Sequence, residues 1–508
     1  MKSPKTLVFL TLFTAMALSS CSGTKTVCTS NCTGGGNGSV SVTMVADTLP
    51  ANPSILSLQV TIIGITFTSS AGTNQSVTLN PAITLDLMRL QSDTAFLGTF
   101  ANIPSGQYTS ATLAFSNPAK ITFLNDTTAT LSGCAVNAIC PLTSNTAAGT
   151  PVASISFAVP QSGVTGIGID LNLSNTVSIS GATLAVNLSN NNVISAFTLP
   201  RQGSNLSATQ RDRIEDFSGV VSLSSNTVTI TSPTRGTLTA TATANTNFDQ
   251  SPDASNPLCP TGTSTLAACV SANQVASMDA VLNSDGTFSI QEIEPLFPSS
   301  QDLVEGTITS VAQASQTQFV IVVKDKLSTA TSGSMIGAVS VGDSLTANLT
   351  TSPNPFLVDT KGLPVNSIAP GALGFFAGST TTGVLRPGQV VAIHVISFTA
   401  ASGNTLASVS ADTVILRWSR FTANPNSTSS QTLSVNGLPA YFGFTSATLF
   451  GVQLFTGTQG AKGVTNFDGI PDGSSITTSK PAAFRGLFIE NSGNSLNFPF
   501  FAAKVRQH

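Results

Sequence analysis

Two glutamates two positions apart are the first residues in this sequence whose types and spacing could do chemistry. Glu292 and Glu294 flank Ile293, and because successive side chains of a strand point to opposite faces, both carboxylates would lie on one face. Glycoside hydrolases use such a pair of carboxylates to cleave the glycosidic bond. The two residues also come directly before Pro295, at a predicted strand end, where exposed acidic side chains are common. We therefore interpret them as exposed carboxylates and keep Glu292 as the residue with which to test a hydrolase.

A second group of oxygen-bearing side chains lies nearer the C-terminus. Asn466, Asp468 and Asp472 belong to the sequence NFDGIPDG, and their clustering with glycines is typical of extracellular calcium-binding loops. The spacing departs from the EF-hand pattern and lacks its closing glutamate. Asp-Gly and Pro-Asp-Gly are also common turn formers. Turns are the favoured interpretation, with calcium binding as the alternative, and we expect no cofactor.

One internal histidine is present for acid–base catalysis. A Ser-His-Asp or Cys-His site would have to use His394, because the other histidine is the final residue. His394 lies on the strand face opposite Ile393 and Val395, which predicts an exposed side chain. The sequence also contains no nucleophile elbow, P-loop or dinucleotide-binding glycine motif. These observations predict that the protein is not an enzyme.

The single tryptophan stands among arginines. Trp418 lies between Arg417 and Arg420, where stacked cations would make a patch for carbohydrate or anions. The alternative is burial where two structural units meet, and we favour burial.

The segments that position these residues begin with an N-terminal targeting signal. Lys2 and Lys5 precede an apolar run from Leu7 to Leu18, which is too short to span a bilayer and is typical of a signal peptide. The closing Leu18-Ser19-Ser20-Cys21 resembles the lipobox of bacterial lipoproteins. The resemblance implies cleavage before Cys21, lipidation of its thiol and attachment to a membrane. Residues 1–20 are then the signal peptide and 21–38 a flexible tether.

The position after the predicted lipidated cysteine bears on location. In some Gram-negative sorting systems, an aspartate at this position resembles an inner-membrane retention signal, but this chain has Ser22 there. We therefore expect a cell-envelope protein on the outer membrane, either periplasmic or surface-exposed.

The other six cysteines form three close pairs. Short loops between paired cysteines predict disulfides in an oxidising compartment. Zinc binding is the alternative, but it would want CxxC pairs or partnering histidines, and the chain has two histidines. The predicted pairs are Cys28 with Cys32, Cys134 with Cys140, and Cys259 with Cys269.

The composition narrows the fold and the partners. Only 8% of the 508 residues are charged, and the formal net charge is -3 without blocks of one sign. Nothing in this distribution would neutralise a phosphate backbone, so we expect no nucleic-acid partner. The mean hydropathy is +0.27, but Gly, Asn or Pro interrupts each apolar run beyond the signal. The hydrophobic residues therefore belong to β-domain cores, and the chain is predicted to be all-β.

Residues 39–200 show the pattern of an antiparallel β-sandwich. Apolar and polar residues alternate from Leu56 to Phe67. The alternation shifts by one residue beside Gly64, which predicts a β-bulge. Three other stretches belong with this strand: Ser39 to Asp47, Leu85-Asp86-Leu87 and Ile103 to Tyr108. Together they resemble a family of uncharacterised bacterial lipoprotein domains whose proposed relatives are transthyretin-like and carboxypeptidase-regulatory-like sandwiches. The family has no assigned enzymatic activity.

Repeated units follow a charged segment. Residues 201–216 contain Arg211 to Asp216, the densest charge cluster in the chain, and are predicted to be a solvated linker. Units at 217–298 and 303–417 open and close in the same manner, and a third is placed at 419–508. Their openings resemble small OB-like β-barrel repeats of unknown function, so two or three barrels are expected. The Gly- and Pro-rich stretch from Phe442 to Pro481 is predicted to be a loop outside the third barrel.

These features predict a lipid-anchored envelope protein that acts as a non-enzymatic binding or scaffold module. It would present the loops of its tethered β-domains to its expected ligand, a polysaccharide or an envelope protein. The alternatives are a structural envelope protein without a small ligand and a hydrolase with an unrecognised site.

Overall fold

The computed structural model describes residues 36–507 apart from 48–52, 202–203, 205, 250–258, 261, 264, 298–301, 313, 328–335, 446–447 and 491–498. Cys21, Cys28 and Cys32 lie outside the described residues. Strands dominate the described chain, which confirms the all-β prediction. No helix among the described residues has both the length and the apolar character needed to cross a membrane.

The N-terminal domain is a sandwich of two sheets. One sheet has four strands in the order β11-β8-β1-β4, and the other has the order β3-β2-β5-β6 with β7 also paired to β5. The strands are β1 Asn37–Ala46, β2 Ser54–Ser69, β3 Asn74–Asp86, β4 Ala95–Pro104, β5 Gly106–Leu124, β6 Ile139–Ser144, β7 Val152–Val159, β8 Val164–Leu171 and β11 Ile194–Thr198; β9 Val177–Ser180 and β10 Thr183–Val186 form a separate hairpin, and α1 is Leu173–Thr176.

The sandwich confirms one local prediction and corrects another. The register of β2 shifts between Ile62 and Gly64 against both of its neighbours, so the predicted bulge lies beside Gly64. The bulge lets apolar side chains on both sides of the slip point into one core. However, β1 and β8 pair in parallel, so the first sheet is mixed rather than antiparallel. Strands far apart in sequence meet there, which alternation alone does not reveal.

Three five-stranded units of one topology, barrels 1, 2 and 3, follow the sandwich, and two of them are closed rings. In each unit, the first strand pairs with the second and the fourth, and the third strand has a parallel pairing with the fifth. This is the strand order of a five-stranded Greek-key barrel of the OB type. The closure runs over five residue pairs in the second barrel and three in the third. In barrel 1 the third and fifth strands share only one residue pair, Thr241 with Ser289.

Each barrel has one additional short strand on its fifth strand. Barrel 1 comprises β12 Gln210–Ser224, β13 Thr227–Ser232, β14 Gly236–Thr241, β15 Asn247–Phe248, α2 Leu266–Cys269, β16 Val275–Asn283 and β17 Phe288–Pro295. Barrel 2 comprises β18 Leu303–Val311, β19 Gln318–Leu327, β20 Ser344–Leu349, β21 Leu357–Val358, α3 Val365–Ile368, α4 Ala372–Ala377, β22 Val390–Thr399 and β23 Ala407–Arg417. Barrel 3 comprises β24 Ser419–Thr428, β25 Thr432–Asn436, β26 Phe450–Leu454, β27 Asn466–Asp468, β28 Ala482–Phe488 and β29 Phe500–Arg506.

Two predictions about irregular segments were wrong. The charged stretch from Arg211 to Asp216 is the first half of β12, and Glu215 and Asp216 are buried. It pairs with β16 across a bulge between Ile214 and Phe217, and its buried acids pair with basic residues of other barrels instead of facing solvent. The stretch predicted as a loop outside barrel 3 contains β26, which is a barrel strand that pairs with β25 and β29.

Two of the predicted disulfides lie in the described chain. Cys134 is bonded to Cys140 in the sandwich, and Cys259 to Cys269 in barrel 1. The bonded residues are 6 and 10 positions apart, so each bond fixes local chain shape.

Candidate binding cleft between the barrels

The candidate site is a cleft of about 640 Å³ between the three barrels. Its main wall is the outer face of β16 and β17 together with the segment 243–247 of barrel 1. A loop of barrel 2 contributes Lys361 and Leu363, and the loop 460–464 of barrel 3 lies across from them. We call this cavity the cleft.

A β-bulge aims two glutamates at the space between the barrels. The register of β17 against β16 shifts after Asp279, so that Glu292 lies opposite Asp279 while Ile290 lies opposite Ala280. Ile290 and Ile293 pack in the barrel core, and Glu292 and Glu294 therefore face outward together. They were predicted to be exposed, but Glu292 is 9% exposed and Glu294 is 0% exposed. The other domains cover this face, which the local pattern could not reveal.

The neighbouring short strand adds a third carboxylate. β15 pairs in parallel with β17, placing Asn247 beside Glu292, and the backbone N–H of Asp249 donates to the carbonyl of Ile293. One carboxylate oxygen from each of Asp249, Glu292 and Glu294 lies within 4.8 Å of the others. The amide of Asn247 donates to Glu292 Oε2 over 2.7 Å. We call these three acids the carboxylate cluster.

Burial changes the acidity of this cluster. Burial raises the pKa of Glu292 to about 8, and the nearby charges of Asp279 and Asp249 raise it further in the same direction. Burial also raises the pKa of Glu294 to about 7, against the opposing effect of Lys361 and Arg417. At neutral pH the cluster therefore carries less negative charge than three free carboxylates would.

Two lysines from different barrels face the acidic surface. Lys361 Nζ lies 3.3 Å from Asp279 Oδ1 and 3.5 Å from Glu294 Oε1, and it donates to Ser277 Oγ over 2.9 Å. Burial opposes the charged form of this lysine, but the surrounding carboxylates outweigh burial and raise its pKa. Lys462 Nζ lies 2.6 Å from Asp249 Oδ2 and 3.8 Å from Glu292 Oε2.

Backbone conformation delivers Lys361 to the cleft. Lys361 and Gly362 are consecutive residues in the left-handed region, with φ of 46° and 76°, a conformation that glycine adopts without strain. A Cβ atom at position 362 would also overlap the side chain of Lys462. The two lysine-bearing loops therefore pack directly on each other at the glycine.

Trp418 lies in the wall of the cleft, between β23 and β24. It is 6% exposed, which agrees with the predicted burial at the junction of two units. Its ring is contacted by Lys361 and Arg485, at 5.5 Å and 4.9 Å from the centroid, not by the arginines beside it in sequence. The indole Nε1 has no hydrogen-bond acceptor among the described residues.

A buried ion network beneath the cleft joins all four domains. Asp93, in the turn between β3 and β4 of the sandwich, is 0% exposed and lies 2.9 Å from Arg420 Nη2 and 3.0 Å from Arg485 Nη1. Asp216 of barrel 1 accepts from Arg417 of barrel 2 over 2.7 Å and from Arg420 of barrel 3 over 2.5 Å. Arg417 also forms an ion pair with Asp359.

The network holds its acids in the charged form. Burial would raise the pKa of Asp93 and Asp216, but the surrounding basic groups outweigh burial and hold both pKa values well below the usual range. Lys504 and Arg485 likewise lower the pKa of Glu215 to about 2 despite its burial. These carboxylates and their partners therefore act as ionic links between domains.

The remaining predicted site residues are separated from one another. Asn466 lines the cleft and donates to Glu215 Oε1 over 3.0 Å, whereas Asp468 accepts from Arg506 Nε over 2.7 Å. Asp472 is exposed and accepts hydrogen bonds from Ser474 and Ser475. The three side chains thus serve an interdomain contact, an ion pair and a turn, and the oxygen of Asn466 accepts from the backbone N–H of Gly460.

His394 was predicted to be exposed, and that prediction was wrong. It is 5% exposed, its Nδ1 lies 2.6 Å from Asp412 Oδ1, and its ring stacks on Phe297 with centroids 4.1 Å apart. The side chain fills the contact between barrels 1 and 2. Its outward direction was predicted correctly, but the covering residue comes from another domain.

Sequence reasoning missed Asp93, Asp216 and Lys361. A signal for Asp216 was present, since Ile214 and Phe217 continue a strand pattern through the charged cluster. In a chain with so few charges, a charged strand favours ionic contact with another domain.

A comparison with protein-family models, with curated proteins and with solved structures finds no match to this chain.

Proposed function

We propose that this protein is a non-enzymatic binding module of the cell envelope, anchored to a membrane through a lipid on Cys21, whose cleft binds a polysaccharide. The observation that carries the proposal is the amide-rich wall of the cleft. Asn245, Asn247 and Gln291 extend along one wall, where side-chain amides offer both donors and acceptors to sugar hydroxyls.

Two further features of the cleft fit a polyhydroxylated ligand. Trp418 Nε1 is a buried donor without an acceptor among the described residues, and a ligand oxygen would relieve the cost of leaving it unpaired. Lys361 and Glu292 line the same cavity, so both signs of charge are present. This mixture suits a neutral polar ligand better than a strongly charged one.

The proposed location rests on the N-terminal sequence and the cysteines. The lipobox-like Leu18-Ser19-Ser20-Cys21 supports lipidation. The disulfides of the sandwich and of barrel 1 support an oxidising compartment. Mass spectrometry of the mature N-terminus, with protease shaving of intact cells, tests the location. A free Cys21 thiol or an uncut Met1 would overturn it.

A glycan array tests the binding function. Wild-type protein is expected to bind a defined set of envelope polysaccharides. Ala461→Trp is expected to abolish that binding, because Ala461 is an exposed residue in the cleft wall and the new ring would fill the cavity. The control is Ala129→Trp, a change at an exposed position in a sandwich loop. Equal binding by both variants would contradict the cleft as the site. No binding to any glycan on the array, together with self-association in solution, would favour a structural protein.

Hydrolysis of a glycosidic bond is a second candidate, favoured by the position of Glu292 in the cleft. One of its carboxylate oxygens lies within 4.8 Å of one of Glu294, close to the separation of about 5–5.5 Å in the acid–nucleophile pair of a retaining glycosidase. Release of reducing sugar from array-positive polysaccharide by wild type, and its loss in Glu292→Gln, would establish hydrolysis. Binding without turnover in wild type would leave the binding function.

A further inference from the structure

We propose that the carboxylate cluster of Asp249, Glu292 and Glu294 binds a hard divalent cation such as Ca²⁺, and that the ammonium group of Lys462 occupies this position when the cation is absent. This site does not depend on which ligand the cleft takes. It is distinct from the sequence-predicted calcium candidates Asn466, Asp468 and Asp472.

The geometry of the cluster matches a coordination shell. Two oxygens that each lie about 2.3–2.6 Å from one Ca²⁺ ion can be at most about 5 Å apart. The three carboxylates each supply an oxygen within 4.8 Å of the other two. Two of them come from β17, and Asp249 directly follows its partner strand β15, so backbone pairing fixes their spacing.

A separate observation is an unpartnered carboxylate oxygen within the cluster. Glu294 is 0% exposed, and its Oε2 has no hydrogen-bond donor among the described residues. Its other oxygen, Oε1, lies 3.5 Å from both Lys361 Nζ and Arg417 Nη1. An unpartnered buried carboxylate oxygen costs free energy, which coordination to a cation would remove.

Lys462 shows that a positive charge is favoured at this place. Its ammonium contacts Asp249 and also approaches Glu292, yet its side chain is 39% exposed. A surface lysine with this exposure can turn into solvent when a divalent ion competes. Lys361 cannot do so, because its side chain is 2% exposed.

The donor set indicates the class of cation. All three groups are carboxylates, and no cysteine or histidine belongs to the cluster. Oxygen ligands favour Ca²⁺, Mg²⁺ and Mn²⁺ over zinc or copper. Mg²⁺ demands near-ideal octahedral geometry and loses its waters reluctantly, so a set of three protein carboxylates suits Ca²⁺ better.

Sensitised terbium luminescence tests the site. Trp418 is the only tryptophan in the chain and lines the same cavity as Glu292 of the cluster, so its excitation should sensitise Tb³⁺ bound at the cluster. We expect a saturable signal that Ca²⁺ displaces at lower concentration than Mg²⁺. Asp249→Asn is expected to weaken Tb³⁺ binding at least tenfold.

Two variants make the test decisive. Lys462→Met removes the competing ammonium at a partly exposed position and is expected to tighten Tb³⁺ binding several-fold. Asp472→Asn, in the exposed turn of barrel 3, should leave binding unchanged. No sensitised signal, or a signal that is the same in wild type, Asp249→Asn and Lys462→Met, would overturn the proposed site.

Discussion

Replacing Asp93 by asparagine should show how strongly the buried network joins the four domains. Asp93 belongs to the sandwich, while Arg235 lies in barrel 1 and Arg420 and Arg485 lie in barrel 3. All of these arginines are within 4 Å of its carboxylate. The change keeps the size and shape of the side chain and removes its charge. It therefore reports on electrostatic linkage rather than on packing.

The expected loss of stability is at the lower end of the range for a broken buried ion pair. Removing one member of such a pair costs about 3–5 kcal/mol, because the remaining charge is left buried. Some arginines keep other partners. Arg420 still pairs with Asp216, and Arg235 still donates to the backbone carbonyls of Thr94 and Asp216. We therefore expect Asp93→Asn to lower the free energy of unfolding by about 3 kcal/mol.

Urea denaturation followed by two probes measures this effect. Circular dichroism reports the strands of all domains, and the fluorescence of Trp418 reports the junction between barrels 2 and 3. Asp93→Asn should lower the midpoint in both, with the fluorescence transition coming first because the junction loosens before the barrels unfold. Asp472→Asn, in an exposed turn, should match wild type. An Asp93→Asn protein with the wild-type midpoint in both probes would refute the network as an interdomain link.

Two further predictions concern the sandwich and barrel 3. Burial, and then the charge of Asp47, raise the pKa of Asp170 to about 6 in the folded protein. Between about pH 4 and 6 the folded state therefore holds a proton that the unfolded state lacks. The free energy of unfolding falls as pH rises through that window. Asp170→Asn should then be about 3 kcal/mol more stable than wild type at pH 7.5 and equal to it at pH 4, and urea midpoints that differ equally at both pH values would contradict this. Phe421 is 2% exposed and its ring contacts four other phenylalanines, so Phe421→Ala should cost about 3–5 kcal/mol of unfolding free energy; a loss below about 1 kcal/mol would show that this aromatic cluster is not the core of barrel 3.

The strand architecture was predictable because it depends on local periodicity. Alternation through Leu56 to Phe67 and the slip beside Gly64 predicted a bulged strand, and β2 has that bulge. The opening and closing hairpins of barrels 1 and 2 were predicted for the same reason. By contrast, β26 was missed, because its five residues lie within a long stretch rich in Gly, Pro and Ser.

The candidate site was harder to predict because contacts between domains decide it. Glu292, Glu294 and His394 were each expected to face solvent. Their side chains do point away from the barrel cores, but other domains cover them. Residues brought from distant segments, such as Lys361 and Lys462, close the cleft. No local pattern encodes which outer face of a barrel another domain will cover.

The central claim is that the carboxylate-bearing face of barrel 1, closed by loops of barrels 2 and 3, is the ligand-binding site. Hydrogen–deuterium exchange of the full-length protein, with and without an array-positive envelope polysaccharide, tests it most directly. The account predicts slower exchange at residues 243–247, in β17 and in the loop 460–464, and no such change in Ala461→Trp. Protection confined to the sandwich, or unchanged exchange around the cleft at saturating polysaccharide, would contradict it.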